Sequence, residues 1–276
     1  MSIYEKRRVC RSGFFIDCLG IVREIQVKQE YRKNPRRLNL TPDKELTETQ
    51  LMPYIPSAMF DRGLNGYLNY CRYRVTGHDG SGMRTLSIDA ATEDTAAAMA
   101  LSSGLSSPLT IVPCPHKTPG ALQLEYARDL GITLPEDVCA EDAACLIARA
   151  VEDDTSVPSK GIAQYADRHG VRFSAWIGMC AFLNLLWRSL SMHDRLYLFV
   201  YSVSCYLDSR PLEDPDDHDP AGYARFADEF IDNAEVVRNL ERSEGESLLG
   251  FDAYTAKTYT AAFTAAVGFL RGYKLS

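Results

Sequence analysis

The stretches PGALQLEYARDLGI (119–132) and PSKGIAQYADRHGV (158–171) lie thirty-nine residues apart, agree at four places and match conservatively at a fifth. Pro119, Tyr126, Ala127, Gly131 and Ile132 recur as Pro158, Tyr165, Ala166, Gly170 and Val171. Proline at a helix start, an aromatic and a small residue two turns on, and glycine at the stop together spell a short docked helix. The phrase is written twice, and it describes a building block rather than a reaction centre. Two copies are expected to share one stack, but they fall short of the three or more that a solenoid needs.

Working outward, the first copy leads through a short extended piece (133–137) into a second helix. There Ala143, Leu146, Ile147, Ala150 and Val151 fall at i, i+3, i+4, i+7 and i+8, one continuous apolar face. Leu122, Tyr126, Ala127 and Leu130 are placed to meet it. Beyond the second copy the pattern predicts helices over 159–169, 174–190, 194–207, 222–242 and 254–269, with Ser174 and Ser191 as N-caps. The most apolar runs, 175–187 and 196–207, are each shorter than the roughly 20 residues a bilayer-spanning helix requires. Buried helices are therefore expected, and no membrane association.

Ahead of the repeats, 67–75 reads as a strand mixing tyrosine with arginine. A glycine-dense turn (76–82) and a second strand (83–89) follow. Thr92 precedes a helix over 96–101 that closes near Gly104, and 109–112 is strand-like, which makes a compact ββαβ module. Further back, 14–29 reads as two short strands, and the proline-spotted 31–56 as an extended connection. The fold class expected is α+β in four parts. These are a basic, β-containing N-terminal portion (1–66), the ββαβ module (67–115), the helix–extended–helix module (116–155) and a helical C-terminal bundle (156–276).

Two local resemblances accompany this reading. Gln123, Tyr126, Ala127, Leu130, Gly131, Ile132 and Pro135, followed by Leu146 and Ile147, make 118–151 similar to the helix–extended–helix motif appended to many bacterial and phage proteins that handle DNA, a motif akin in shape to SAP modules. That resemblance implies docking, on nucleic acid or on protein. Glu136, Asp137, Glu141 and Asp142 stand where a phosphate-binding version presents free N–H groups and basic side chains. These acids suit the helix dipole instead. Residues 69–113 resemble the small front domains of the F proteins of type II secretion, on generic positions that carry no function across.

The chain has 276 residues, a net charge of −7 and a pI near 5.3, with composition ordinary for a globule. Charge is polarised along it. Residues 1–40 hold ten Lys or Arg against four acids, net +6, whereas 208–246 holds thirteen acids against four arginines, net −9. Such asymmetry suggests an interaction tail, or two segments that attract one another within or between subunits. The first eleven residues are polar and basic and lack the order of a signal peptide, so a cytoplasmic location is expected. Eight cysteines without a CxxC pair are read as reduced, small hydrophobes.

No complete catalytic or metal-binding signature is present, and no cofactor is expected. His78 and Asp79 offer an imidazole and an acid, but in a turn whose composition already requires Asp and Gly. Cys114 and His116 are two apart at a strand end, too near in sequence to face one another readily. The acids Asp214, Asp216, Asp217 and Asp219 could hold a cation through oxygen, yet they lack the spacing of a calcium loop. The expected function is non-enzymatic interaction with a protein complex, in a phage or mobile-element protein acting on a host or defence assembly. Nucleic-acid binding through Arg32, Lys33, Arg36 and Arg37 is the alternative, and an enzyme with dispersed site residues the third. Arg72, Arg74 and the four loop aspartates complete the candidate interaction residues, and self-association is expected from the opposed charges.

Overall fold

The computed structural model describes residues 67–152, 154, 156–242 and 260–273. The strands expected over 14–29, the connection over 31–56 and the basic residues Arg32, Lys33, Arg36 and Arg37 lie outside the described residues.

The described chain is α+β. Strands β1 (Cys71–His78), β2 (Met83–Ala90) and β3 (Ser106–Cys114) form an antiparallel sheet in the order β2-β1-β3. β1 alternates strictly, with Cys71, Tyr73 and Val75 buried and Arg72, Arg74 and Thr76 on the opposite face. That alternation is what a sheet covered on one side requires. The cover is α1 (Glu93–Ser102), whose Ala96 and Ala100, one turn apart, are fully buried. Two methyl groups let the helix backbone come close to Val75, Ile88 and Ala90. Thr92 caps α1 by accepting from the Thr95 N–H at 3.2 Å. The hairpin turn is closed by Asp79, whose Oδ1 accepts from Ser81 N at 3.0 Å, Ser81 Oγ at 2.7 Å and Gly82 N at 3.2 Å.

The thirty-nine-residue period extends over four helices rather than two. α2 (Ala121–Asp129) and α3 (Ala140–Glu152) start thirty-nine residues before α4 (Lys160–Arg168) and α5 (Met179–Ser189) respectively. α2 and α4 also end at matching positions. The glycine stops behave alike: Gly131 has φ +70° and Gly170 φ +69°. Ile132 N–H donates to Ala127 O at 2.8 Å, and Val171 N–H to Ala166 O at 3.0 Å. Both are Schellman closures, in which left-handed backbone favours glycine. The unit is thus a tandem helix–extended–helix, with Val138 matched to Ile177, Ala143 to Phe182 and Ile147 to Leu186, all buried.

The larger core lies between the second copy and the C-terminal helices α6 (Met192–Leu207), α7 (Pro220–Phe230), α8 (Ala234–Glu241) and α9 (Ala261–Tyr273). From Leu196 to Cys205 every residue of α6 is buried, which explains why its sequence is apolar all round. Among the described residues no helix is long and apolar enough to cross a membrane.

Three expectations need correcting. The apolar face of α3 is divided: Ala143, Cys145 and Leu146 enter the larger core, while Ile147 joins Ala127 and Ile132 in a satellite, with Ala150 and Val151 packed against it. Ser174 is no N-cap. Its hydroxyl donates to Asp142 Oδ1 at 2.5 Å and accepts from Trp176 N at 3.0 Å, and α5 begins only after Gly178. The helix expected over 222–242 breaks at 231–233, where Asn233 Oδ1 accepts from the N–H groups of Glu235 and Val236 and starts α8 afresh.

Candidate interaction surfaces

The uncovered sheet face is built by register. Arg74 stands between Ser87 on β2 and Val112 on β3, and Thr76 between Thr85 and Thr110. The Thr76 and Thr85 hydroxyls share a hydrogen bond of 2.8 Å. Arg74, Thr85, Ser87, Thr110 and Val112 are all exposed, and Arg74 makes no ion pair among the described residues. Arg72, two residues away on the same face, is committed. Its Nε donates to Asp89 Oδ1 at 2.7 Å and one terminal nitrogen to Oδ2 at 3.0 Å, with Glu141 Oε1 on α3 at 3.7 Å. The hydrogen bond to Asp89 holds the guanidinium more firmly charged than usual. Arg172 donates to Asp89 O at 3.2 Å, so this cluster fastens the sheet to both helix–extended–helix copies.

None of the aromatics interleaved with these arginines is exposed. Tyr73 is buried under α1, Tyr70 is buried edge-on to His116 with ring centroids 5.3 Å apart, and Tyr67 packs edge-on to Trp176 at 5.2 Å. His116, itself buried, has Nε2 3.3 Å from Tyr70 O. Cys114 at the end of β3 donates its thiol to Val112 O at 3.6 Å. His78 and Asp79 form the rim of the hairpin, where the Ser81 hydrogen bonds pull the Asp79 carboxyl below its ordinary range.

The acidic loop is used largely for fastening and capping. Arg168 makes a fork with Asp214, at 2.8 and 2.6 Å, and reaches Asp216 Oδ2 at 2.7 Å. Asp216 Oδ1 accepts from Tyr197 Oη at 2.7 Å. Bidentate pairing to a buried carboxylate is the strong form of this interaction, and it keeps Arg168 charged. Asp214 also caps a 3-10 turn (Pro215–Asp217), and Asp219 caps α7 by accepting from Gly222 N at 3.0 Å. Asp217 is exposed. Among the described residues, no three His, Cys, Asp or Glu side chains are arranged to hold a metal ion.

A buried polar junction escaped the sequence reading. Asp142, with no exposed surface, accepts from Tyr67 N at 2.7 Å, from Ser174 Oγ and from the Cys139 thiol at 3.4 Å. Burial pushes its carboxyl pKa up, although these hydrogen bonds oppose the shift. Beside it, Asn69 donates to Val171 O at 2.7 Å and Asp167 Oδ1 at 3.0 Å, and accepts from Phe173 N at 2.7 Å. Backbone bonds from Asn69 N to Phe173 O and from Ala175 N to Tyr67 O complete the join. The signal available was an acid within an apolar helical face: Asp142 sits one turn before Leu146. The sequence reading also missed Asp154, whose Oδ2 accepts from Cys180 N at 2.9 Å in the first turn of α5.

No family model matches this chain, and no curated protein or solved structure matches it either.

Proposed function

We propose that this chain is a non-enzymatic interaction protein that docks on a protein complex through the open face of its three-stranded sheet. The carrying observation is the exposed Arg74, set among the hydroxyls of Thr76, Thr85, Ser87 and Thr110 beside the exposed Val112, on a sheet whose other face is sealed by α1. The matching partner surface presents a carboxylate to Arg74 and hydrogen-bonding groups to the hydroxyls, around an apolar contact at Val112. Protein is favoured over single-stranded nucleic acid because Tyr70 and Tyr73 are buried, leaving no aromatic platform for bases to stack on among the described residues of this face. The likeness of 118–151 to modules appended to phage proteins supports a phage or mobile-element origin and a host or defence assembly as the partner.

The test compares the immobilised full chain with Arg74→Glu and with the exposed control Arg242→Glu in nuclease-treated bacterial lysate. A defined set of proteins retained by the parent and by Arg242→Glu, but reduced at least tenfold by Arg74→Glu, is expected. Equal retention by Arg74→Glu, or capture that disappears with nuclease, overturns the reading.

A further inference from the structure

The two edges of the sheet are chemically unlike. Antiparallel strands bond at alternate residue pairs, and the hydrogen bond from Asp79 N to Gly82 O, 3.1 Å, sets the alternation. Cys71, Tyr73, Val75 and Gly77 of β1 therefore bond to β2, and Arg72, Arg74 and Thr76 to β3. On β3 the outward position beside Tyr73 is Pro113, which has no N–H to offer, and Pro108 stands in the stretch where the register shifts. That edge is closed to another strand. β2 contains no proline and pairs with β1 over its whole length without a bulge. The main-chain groups of Met83, Thr85 and Ser87 point away from β1, and among the described residues no strand takes them up. At the far end Arg172 already donates to Asp89 O at 3.2 Å.

We propose that the free edge of β2 pairs with the same edge of a second copy, the two strands running antiparallel about a twofold axis through Leu86. A twofold perpendicular to the sheet keeps each face on its own side, so opposed residues share a face. With Leu86 on the axis, Thr85 of each copy lies opposite Ser87 of the other, and these pairs exchange about four main-chain hydrogen bonds. On the α1 side the half-buried Leu86 meets its own copy, an apolar cross-strand pair. Arg84, exposed on that same side, lies opposite Ile88 of the second copy, toward the end of β2 that leads into α1. Glu93 and Asp94 occupy the first turn of α1, exposed. Among the described residues none of these three makes an ion pair within the chain, and the twofold brings the opposite charges together twice. That complementarity selects a second copy over a foreign strand. On the open side the central contacts are between Thr85 and Ser87, too small to obstruct pairing. The inference does not depend on the docking reading, because the open face stays free; the axis sets both copies of Arg74 on one side.

Sedimentation equilibrium of the full chain tests it, with a monomer–dimer equilibrium expected. Arg84→Glu, and separately Glu93→Arg with Asp94→Arg, should each weaken dimerisation at least tenfold. An equimolar mixture of the two variants should regain it, because opposite charges meet at both seams of the mixed dimer. Recovery on mixing also shows that both variants are folded. Oxidised Leu86→Cys should yield a link between the two copies of residue 86, whose Cα atoms lie about 4.5 Å apart at such a pair. Arg84→Cys, out of register with its own copy, should not. A chain that stays monomeric at every concentration overturns the proposal, whether the edge is free or filled by the chain's own residues 1–66. So does a dimer indifferent to the charge changes, a mixture that fails to recover, or a link at 84 equal to that at 86.

Discussion

Gly161→Ala should destabilise the protein, although the same change in an exposed helix interior would stabilise it by about 1 kcal/mol. The reason is what lies above α4. A Cβ at this position would meet Asp214 N and come within 2.7 Å of the Glu213 carbonyl carbon, both main-chain atoms that no rotamer change can move. The segment Leu212–Asp217 must lift, and lifting separates Arg168 from Asp214, whose side chain is only 7% exposed. Overpacking costs about 1–3 kcal/mol, and loss of a hydrogen bond to a charged group about 1.5–3 kcal/mol. After the propensity gain, a net loss of about 2–4 kcal/mol is expected. Urea unfolding followed by far-UV circular dichroism reads it as a lower midpoint at unchanged slope. A Gly161→Ala protein as stable as the parent, or more stable, refutes the close approach of Glu213 and Asp214 to α4.

Two further outcomes follow from the core and the buried junction. Trp187→Ala removes a side chain 2% exposed in the larger core and should cost about 3–5 kcal/mol, read by the same denaturation; a loss under about 1 kcal/mol would contradict its burial. Asp142 has a folded-state pKa raised above its ordinary value by burial, so between those two values the folded chain holds a proton that the unfolded chain has released. Its contribution to stability is therefore most favourable below the ordinary carboxyl range and declines as pH rises through the folded pKa. The stability of the parent relative to Asp142→Asn should accordingly fall from pH 4 upward. A difference that is flat or rises with pH would mean that the Tyr67, Ser174 and Cys139 donors outweigh desolvation.

Local order was legible where a short signal fixes a short element. Thr92 before an alanine run, Gly80 in a tight turn and Ser191 before an apolar stretch each mark a boundary that the structure keeps. The repeat was visible too, but only as one helix, because the second helices share little chemistry: Ala140–Glu152 is alanine-rich, whereas Met179–Ser189 is filled with Leu, Phe and Trp. Their equivalence lies in spacing. Tertiary pairing was not legible. Ser174 has the chemistry of an N-cap, and only the arrival of Asp142 thirty-two residues away in sequence decides otherwise. Likewise the commitment of Arg72 and the freedom of Arg74 depend on Asp89 lying opposite one and Ser87 opposite the other, a matter of register that composition does not carry.

The join between Asn69 and Val171–Phe173 has a consequence for how the chain is made. Its bonds span 102 and 104 residues, so closing it costs roughly 4 kcal/mol of loop entropy before any contact repays it. During synthesis at about 5–20 residues per second, Asn69 leaves the ribosome roughly 5–20 seconds ahead of the segment that ties it down. Through that interval the Asn69 side chain awaits the partners it will find at Asp167, Val171 and Phe173. The last step of assembly is therefore a long-range clasp, and a nascent chain interrupted before residue 167 holds every part of the first copy but lacks the Asn69 bonds that fasten the sheet to the second.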